Sequence, residues 1–345
     1  MTTHTAIATT AKGVYGAIQV PTEQPAPDEV LIKVAYASVA GFDVYVSSIG
    51  WYVEEYPVGL GLGAAGTVVS VGEGVHDLQI GDRVYVSLAF KGTRARALQE
   101  FSVQSRSTVA KIPDNLPFDV AATIPDNFGV GYYTLFTKLS LPVTSFPATT
   151  PPPLASTPIL VYGGGGSASQ SIIQLLRIAG YTNILTTASP KHHNYLISLG
   201  ATRCFDYRHP QLVEEIAEAV GGDGKVPIVI DGITTETTIS TCAKVIRPGG
   251  DLALLLPISP GNSLVDSSGA EVYMELREDV NPLPEGVKYV GIRAFLAEED
   301  PFLRENLFIK ILPELLQAGL VKPNHVRLID FPGTLEERVK WVLIW

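Results

Sequence analysis

Ile159-Leu160-Val161-Tyr162-Gly163-Gly164-Gly165-Gly166-Ser167-Ala168-Ser169 runs a continuous apolar tetrad into four glycines and then into a segment with helical periodicity. A short apolar run closed by glycines and followed by such a segment is a strand–turn–helix unit. Gly164 to Ser169 stands in the place of G-x-G-x-x-G, in the context that motif needs. The first glycine permits a tight turn, the second lets the backbone approach a pyrophosphate, and the third position needs a small residue for helix–strand packing. That third position is Ser169. Phosphates held there would meet the unpaired N–H groups of the helix N-terminus. Gly164, Gly165, Gly166, Ser167 and Ala168 are therefore the candidate cradle for a dinucleotide.

Outward toward the C-terminus the unit repeats. Strand Asn183–Thr187 leads to helix Lys191–Leu199, Arg203–Phe205 to helix Gln211–Val220, and Pro227–Asp231 to helix Thr235–Val245. Strand Asp251–Leu256 follows the turn Pro248-Gly249-Gly250, and Val287–Ile292 reads as a last strand. Apolar strands alternating with helices predict a parallel sheet covered on both faces. Beyond it, Leu303–Ala318 reads as a helix, Val321–Ile329 as a strand and Thr334–Trp345 as a helix. The end of the second strand selects the dinucleotide. An NAD site places a carboxylate there for the ribose 2′-hydroxyl. Thr186-Thr187-Ala188-Ser189-Pro190-Lys191-His192-His193 has none and offers a hydroxyl and an ammonium, which suit a 2′-phosphate. The alternative is that Ser189 is a helix cap and Lys191 a solvated lysine. A cation at a helix start is unfavourable to the dipole, which favours the binding role and NADPH.

Outward toward the N-terminus the pattern is β-rich. Val30–Tyr36, Gly66–Gly72 and Asp82–Ser87 are strands separated by glycine-bearing turns, which predicts a small barrel. Phe118–Leu139 reads mostly as helix. Leu141–Pro158, with Pro142, Pro147, Pro151, Pro152, Pro153 and Pro158, is a loop. The chain has 345 residues, 46% hydrophobic and 17% charged, a globular composition long enough for two domains. A net charge of −10 with scattered Lys and Arg argues against nucleic acid and acidic membranes as partners. Two cysteines, Cys204 and Cys242, exclude a disulfide framework and a four-cysteine zinc site. No signal peptide and no run of 18 apolar residues is present, so a cytoplasmic protein is expected.

Several segments together resemble the medium-chain dehydrogenase/reductase superfamily. They are Pro27–Val34, Gly66–Gly72 with Gly81–Tyr85, Lys111–Leu116 with Ala121-Ala122, the glycine turn, Ser189-Pro190-Lys191, and Leu199-Gly200-Ala201 through Phe205-Asp206-Tyr207-Arg208. Within it the chain is most similar to the zinc-free quinone and enoyl reductase branch, closest to fungal trans-acting enoyl reductases and ToxD-like oxidoreductases of secondary metabolism. The resemblance implies an α/β protein with a GroES-like β-barrel catalytic domain plus a doubly wound parallel-sheet Rossmann domain. The expected division is 1–126 for the first part of the catalytic domain, 127–296 for the NADPH-binding domain and 297–345 for the return to the catalytic domain. It implies NADPH contacts from Ala40–Asp43, Gly165–Ala168, Ser189, Lys191, His192, Tyr207 and Leu256, with Asp43 among them and Tyr207 beside Lys191 near the 2′-phosphate. Relatives of this kind pair through the last Rossmann strand, here Val287–Ile292, so a homodimer is expected, although trans-acting fungal relatives are also found as monomers. Relatives also end in a short helix, a glycine turn and a closing strand; here Trp341-Val342-Leu343-Ile344-Trp345 stands where the helix would be.

The departures bear on the chemistry. Zinc-dependent relatives carry a Cys in the segment held here by Gly41-Phe42-Asp43 and a His-Glu pair where this chain has Leu62-Gly63. Leu and Gly cannot bind a Lewis acid, so no metal is expected. The resemblance implies hydride transfer from NADPH to the activated C=C bond of a small-molecule enone, enal or acyl thioester. The enolate so formed needs a hydrogen-bond donor and a proton. Tyr52 is the first candidate acid, with Tyr45 and Tyr56 as rivals and a packing role as the alternative. Asn127 is a candidate donor to a carbonyl, with helix capping by Asp126 or Asn127 as the alternative. Quinone reduction and an NADPH-binding role with little turnover are the competing functions. His192 and His193 project about 100° apart on a helix and do not suit one metal ion.

Overall fold

The computed structural model describes residues 2–87, 92–261, 272–278 and 281–328. The chain divides into two compact units. The first comprises Met1–Gly129, Phe295–Gly319 and the chain from Pro323; the second comprises Val130–Ala294 and Leu320–Lys322. Among the described residues no helix is long and apolar enough to cross a membrane.

In the first unit β1 (Thr3–Ala11) and β2 (Val14–Pro21) form a hairpin, with Gly13 at φ +74° in the turn. There follow β3 (Glu29–Ala37), α1 (Gly41–Ile49), β4 (Val58–Gly59), β5 (Ala64–Val71), β6 (Arg83–Val86), β7 (Phe101–Ser105) and β8 (Val109–Lys111). They make two antiparallel sheets, β2-β1-β4 and β7-β3-β5-β6-β8. Backbone bonds from Ile7 N to Leu98 O and from Glu100 N to Thr5 O join the segment before β7 to β1. The inward residues Val30, Ile32, Val68, Val84, Val86 and Val109 form the core of the larger sheet. The sequence reading names β3, β5 and β6, which are rich in Val, but not β1 or β2. β1 is Thr- and Ala-rich and buries small residues such as Ala6 and Ala8, while β2 has no fully buried residue, so the hydrophobic signal is weak in both.

The expected helix over 118–139 is realised in pieces: α2 (Phe118–Ala121), α3 (Pro125–Tyr132) and a π-helical turn at Tyr133–Lys138. In the second unit the βα repeat is β9 (Ile159–Tyr162), α4 (Ser167–Ile178), β10 (Ile184–Thr187), α5 (His193–Leu199), β11 (Arg203–Phe205), α6 (Leu212–Val220), β12 (Val226–Asp231), α7 (Glu236–Val245), β13 (Ile246–Leu254) and β14 (Lys288–Gly291). All six strands are parallel, in the order β11-β10-β9-β12-β13-β14. The order reverses at β9, and a doubly wound sheet opens its crevice at the carboxyl ends of the strands there. Every residue of β9 is buried, as a strand covered on both faces requires. β13 starts earlier than expected. It runs through Pro248–Gly250, which the ladder accommodates by a register shift between Val226↔Ile246 and Ile228↔Asp251.

The expected helix over 303–318 is α8 (Pro301–Asn306), a π-helical turn (Leu307–Ile311) and α9 (Leu312–Gln317), capped by Asp300 on the amides of Phe302 and Leu303. The strand expected from Val321 is a correction: residues 321–328 form no strand. Pro323 lacks a ladder donor, and both backbone groups of Lys322 bond the Gln174 side chain instead. Ile329 and the expected helix over 334–345 lie outside the described residues.

Candidate functional site

The glycine turn is built by packing as much as by conformational freedom. Gly163, rather than Gly164, takes the left-handed backbone, at φ +79°. A side chain there would also meet Ile233 Cγ1 at 2.6 Å. Gly164 is required for a different reason: a Cβ would collide with Thr186 Oγ1. This corrects the role expected of the first motif glycine. The close approach is fixed by β10. Thr187 Oγ1 accepts from Gly163 N (2.9 Å), Thr187 O accepts from Gly164 N (2.8 Å), and Thr186 Oγ1 donates to Val161 O (2.7 Å). Gly165 has open space, its nearest neighbour being His192 Cδ2 at 4.0 Å from an added Cβ. Gly166 precedes α4 with no side-chain cap, so Ser167 and Ala168 open an uncapped helix of 12 residues. This N-terminus suits an anion. Ser169 fits the small-residue requirement by displacement: a Cβ on Gly232 would meet its Oγ. That hydroxyl is buried and, among the described residues, has no hydrogen-bond partner.

The segment after β10 gathers the polar candidates. Ser189 precedes a 3-10 turn, Pro190–His192, and its side chain makes no cap bond. Lys191 lies in that turn and not in α5, so the dipole argument does not apply to it; both it and His192 are exposed. His193 is tied down, its Nε2 lying 3.0 Å from Ala188 O. β11 runs alongside, with Thr187 paired to Phe205. Tyr207, 47% exposed, follows two residues later, and the Arg208 guanidinium lies 5.4 Å from its ring centroid. Leu256 is half-buried, and its N–H donates to Thr234 Oγ1 at 3.3 Å.

Sequence reasoning misses Asp231 at the end of β12. It is fully buried, and its Oδ1 accepts from the amides of Ile233 and Thr234 (both 2.9 Å) while Oδ2 accepts from Thr238 Oγ1 (2.6 Å). Burial nonetheless holds its carboxyl above the ordinary value. This network fixes Thr234 at φ +58° and shapes the loop beside the glycine turn. A lone Asp at a strand end carries no sequence signal of that role.

The remaining candidates belong to the first unit. Asp43, expected among the cofactor contacts, is fully buried, Oδ2 accepting from Ala40 N (2.9 Å) and Oδ1 from Gly61 N (2.6 Å). It positions the start of α1, reaching back from the third helical residue as a capping carboxylate does. Tyr52 is 43% exposed at φ +57°, its ring edge-to-face with Trp51 (4.6 Å) and Phe295 (5.2 Å). Tyr45 is buried beside Trp51, and the Tyr56 hydroxyl lies 2.7 Å from a Cβ built on Gly50. Asn127 sits in the first turn of α3 and donates its amide hydrogens to Thr123 O (2.9 Å) and Asn324 Oδ1 (3.1 Å). Asp126 accepts from Ser87 Oγ (2.9 Å) and Ser38 Oγ (3.4 Å).

A catalytic metal does not fit the positions where zinc-dependent relatives hold one. Leu62 is buried and apolar, and a side chain on Gly63 would collide with Asp126 Oδ2. Both oxygens of Asp43 are engaged by amides. Among the described residues no group of three or more His, Cys, Asp or Glu is gathered.

Comparison with known proteins agrees with this architecture. The family described as "Alcohol dehydrogenase GroES-like domain" matches residues 26–114, and that described as "Zinc-binding dehydrogenase" matches residues 169–256. The trans-enoyl reductase himH of Aspergillus japonicus is 32% identical over 315 residues, covering 90% of this chain and 83% of himH. A trans-enoyl reductase of Gibberella fujikuroi is 30% identical, covering 90% of this chain and 87% of its own. The crystal structure of CurK enoyl reductase superimposes with a TM-score of 0.73 at 22% identity, over 93% of this chain and 90% of CurK. The glycine turn on a doubly wound sheet, the two antiparallel sheets and these relatives together place the chain in the medium-chain dehydrogenase/reductase superfamily, as an oxidoreductase of the fungal trans-enoyl reductase family.

Proposed function

We propose that this protein reduces the activated C=C bond of an enone, enal or enoyl thioester with NADPH. The observation that carries the reading is the uncapped N-terminus of α4 behind an open Gly165, on the same sheet end as Ser189 and Lys191. The residues fit the coenzyme. Gly165, Ser167 and Ala168 lie where a pyrophosphate would meet the start of α4, while the Gly166 N–H closes the turn onto Gly163 O at 3.1 Å. Neither Ser189 nor Lys191 makes a side-chain hydrogen bond or ion pair among the described residues, so a hydroxyl and an ammonium are available to a 2′-phosphate. Tyr207 and His192 flank the adenosine, and Leu256 continues the rim on the other side of the switch point. When bound, the nicotinamide supplies a hydride to the β-carbon of the acceptor.

In this reading the chain's own groups manage the charge and the proton. Tyr52 gives a proton to the α-carbon, its ring held on an aromatic support from Trp51 and Phe295. Asp43 acts as a positioning residue for Ala40 to Phe42. Asn127, engaged by Thr123 and Asn324, orients the start of α3. The functional division follows 1–126, 127–296 and 297–345, and the protein works as a homodimer.

The test is an acceptor panel. Purified protein with NADPH is mixed with an enal, a crotonyl thioester or a naphthoquinone, and the loss of NADPH absorbance is followed. The proposal expects oxidation with the enal or the thioester. Oxidation with the quinone alone would make it a quinone reductase. Tight NADPH binding without oxidation by any acceptor would reduce it to a binding protein.

A further inference from the structure

The carboxylate missing from the end of β10 is present one strand over. Asp206 directly follows β11, and Phe205 O accepts from Ala188 N at 2.9 Å, so Asp206 and Tyr207 run beside Ala188 and Ser189. The Asp206 carboxyl also feels His193, whose ring bonds Ala188 O. A bare carboxylate there would do two things. It would repel a 2′-phosphate, and it would accept from the ribose 2′-hydroxyl of NADH.

Asp206 is not bare. Arg208 grips it in a two-pronged pair, Nε to Oδ1 and Nη2 to Oδ2, both at 3.0 Å, and the Arg208 backbone N–H adds a third bond to Oδ1 at 3.1 Å. The planar guanidinium matches the carboxylate and uses both of its oxygens. The pair is two residues apart on one turn, so little chain entropy opposes it. The hydrogen bond from Arg208 holds the carboxyl below its ordinary range, so it stays ionised, and paired, across neutral pH.

We propose that Arg208 sets the coenzyme preference through Asp206: by clamping this carboxylate it masks a negative charge that would otherwise favour NADH over NADPH. The inference rests on the NADPH reading above and assigns Arg208 a positioning and masking role. Lys191 and Ser189 attract the 2′-phosphate; Arg208 removes what would oppose it. A unit charge a few ångströms from a doubly charged phosphate in water changes affinity on the order of tenfold, and less at high salt.

The experiment is a set of fluorescence titrations of NADPH and NADH with five proteins: wild type, Arg208→Ala, Asp206→Asn, the double variant and Lys191→Ala. Arg208→Ala is expected to weaken NADPH about tenfold while leaving NADH unchanged or tighter. Asp206→Asn leaves the Arg208 cation without its partner and is expected to bind NADPH as tightly as wild type or more tightly, and the double variant, neutral like the pair, to return to within about twofold of wild type. Raising the salt is expected to shrink the Arg208→Ala effect. A double variant as weak as Arg208→Ala would overturn the masking role, because Arg208 would then touch the phosphate itself. Equal loss of both coenzymes in Arg208→Ala would overturn it too. The NADPH reading has its own separate readout. A wild type that prefers NADH, or a Lys191→Ala variant that loses both coenzymes alike, would overturn that reading and the masking with it.

Discussion

Asp43 carries a carboxyl into a place without water and gives it two backbone amides in return. Burial is the larger influence and raises its pKa above the ordinary 3.8, while the Ala40 and Gly61 amides and the Arg96 charge oppose the rise. The sign follows from linkage. Below 3.8 the folded and unfolded chains both hold the proton, and the contribution to stability is complete. Between 3.8 and the folded value only the folded chain holds it, so that contribution is lost as pH rises through the folded value. Asp43→Asn removes the titration and leaves one amide unpaired, at a cost of about 1–3 kcal/mol. Urea unfolding at pH 4 and pH 7 is expected to show wild type more stable at both, with the gap narrowing at pH 7. A gap that widens with pH would mean that the amides and Arg96 outweigh burial. The same residue shows a limit of reading side chains from sequence. Phe42-Asp43 was visible as a metal-free segment, but only the fold aims its carboxylate inward at Gly61.

At the scale of elements, the glycine turn depends on β10 as much as on its own glycines. Thr187 takes the Gly163 N–H on its hydroxyl and the Gly164 N–H on its carbonyl, which holds the turn flat against the strand. Thr187→Val keeps the side-chain shape and removes the acceptor. A buried N–H left unpaired costs about 1–3 kcal/mol. Thermal unfolding is expected to fall by several degrees, with coenzyme affinity reduced several-fold because the cradle is no longer preorganised. Loss of stability with unchanged affinity would show that Gly165 and Gly166 hold their geometry without Thr187. The βα repeat itself was legible, since β9, β12 and the Ile184-Leu185 start of β10 are apolar stretches closed by turn residues, between segments of helical period. The latch was not, because Thr186-Thr187 reads as any strand end until the neighbouring turn is packed on it.

For the whole molecule, the order β11-β10-β9-β12-β13-β14 leaves β14 at an end of the parallel sheet. A terminal strand offers a row of backbone donors and acceptors. A second copy pairing there would extend the sheet, and light scattering is expected to return twice the mass of the chain. A monomer mass at micromolar concentration would remove the homodimer from the proposal.

The sequence by itself determined the architecture: a glycine turn within a βα repeat, preceded by Val- and Ile-bearing strands. Those signals are local, carried by backbone freedom at glycine and by side-chain periodicity along one segment. It also determined the absence of a carboxylate after β10 and of zinc ligands at Leu62 and Gly63. The tertiary structure alone decided why Gly164 must be glycine, where Asp43 points, and that the chain after β11 runs alongside Ala188 through the Ala188 N to Phe205 O bond. Each of these depends on atoms from segments that meet only when strands pair and helices pack. Hydrogen bonds and excluded volume between distant residues leave no period in the sequence to be read.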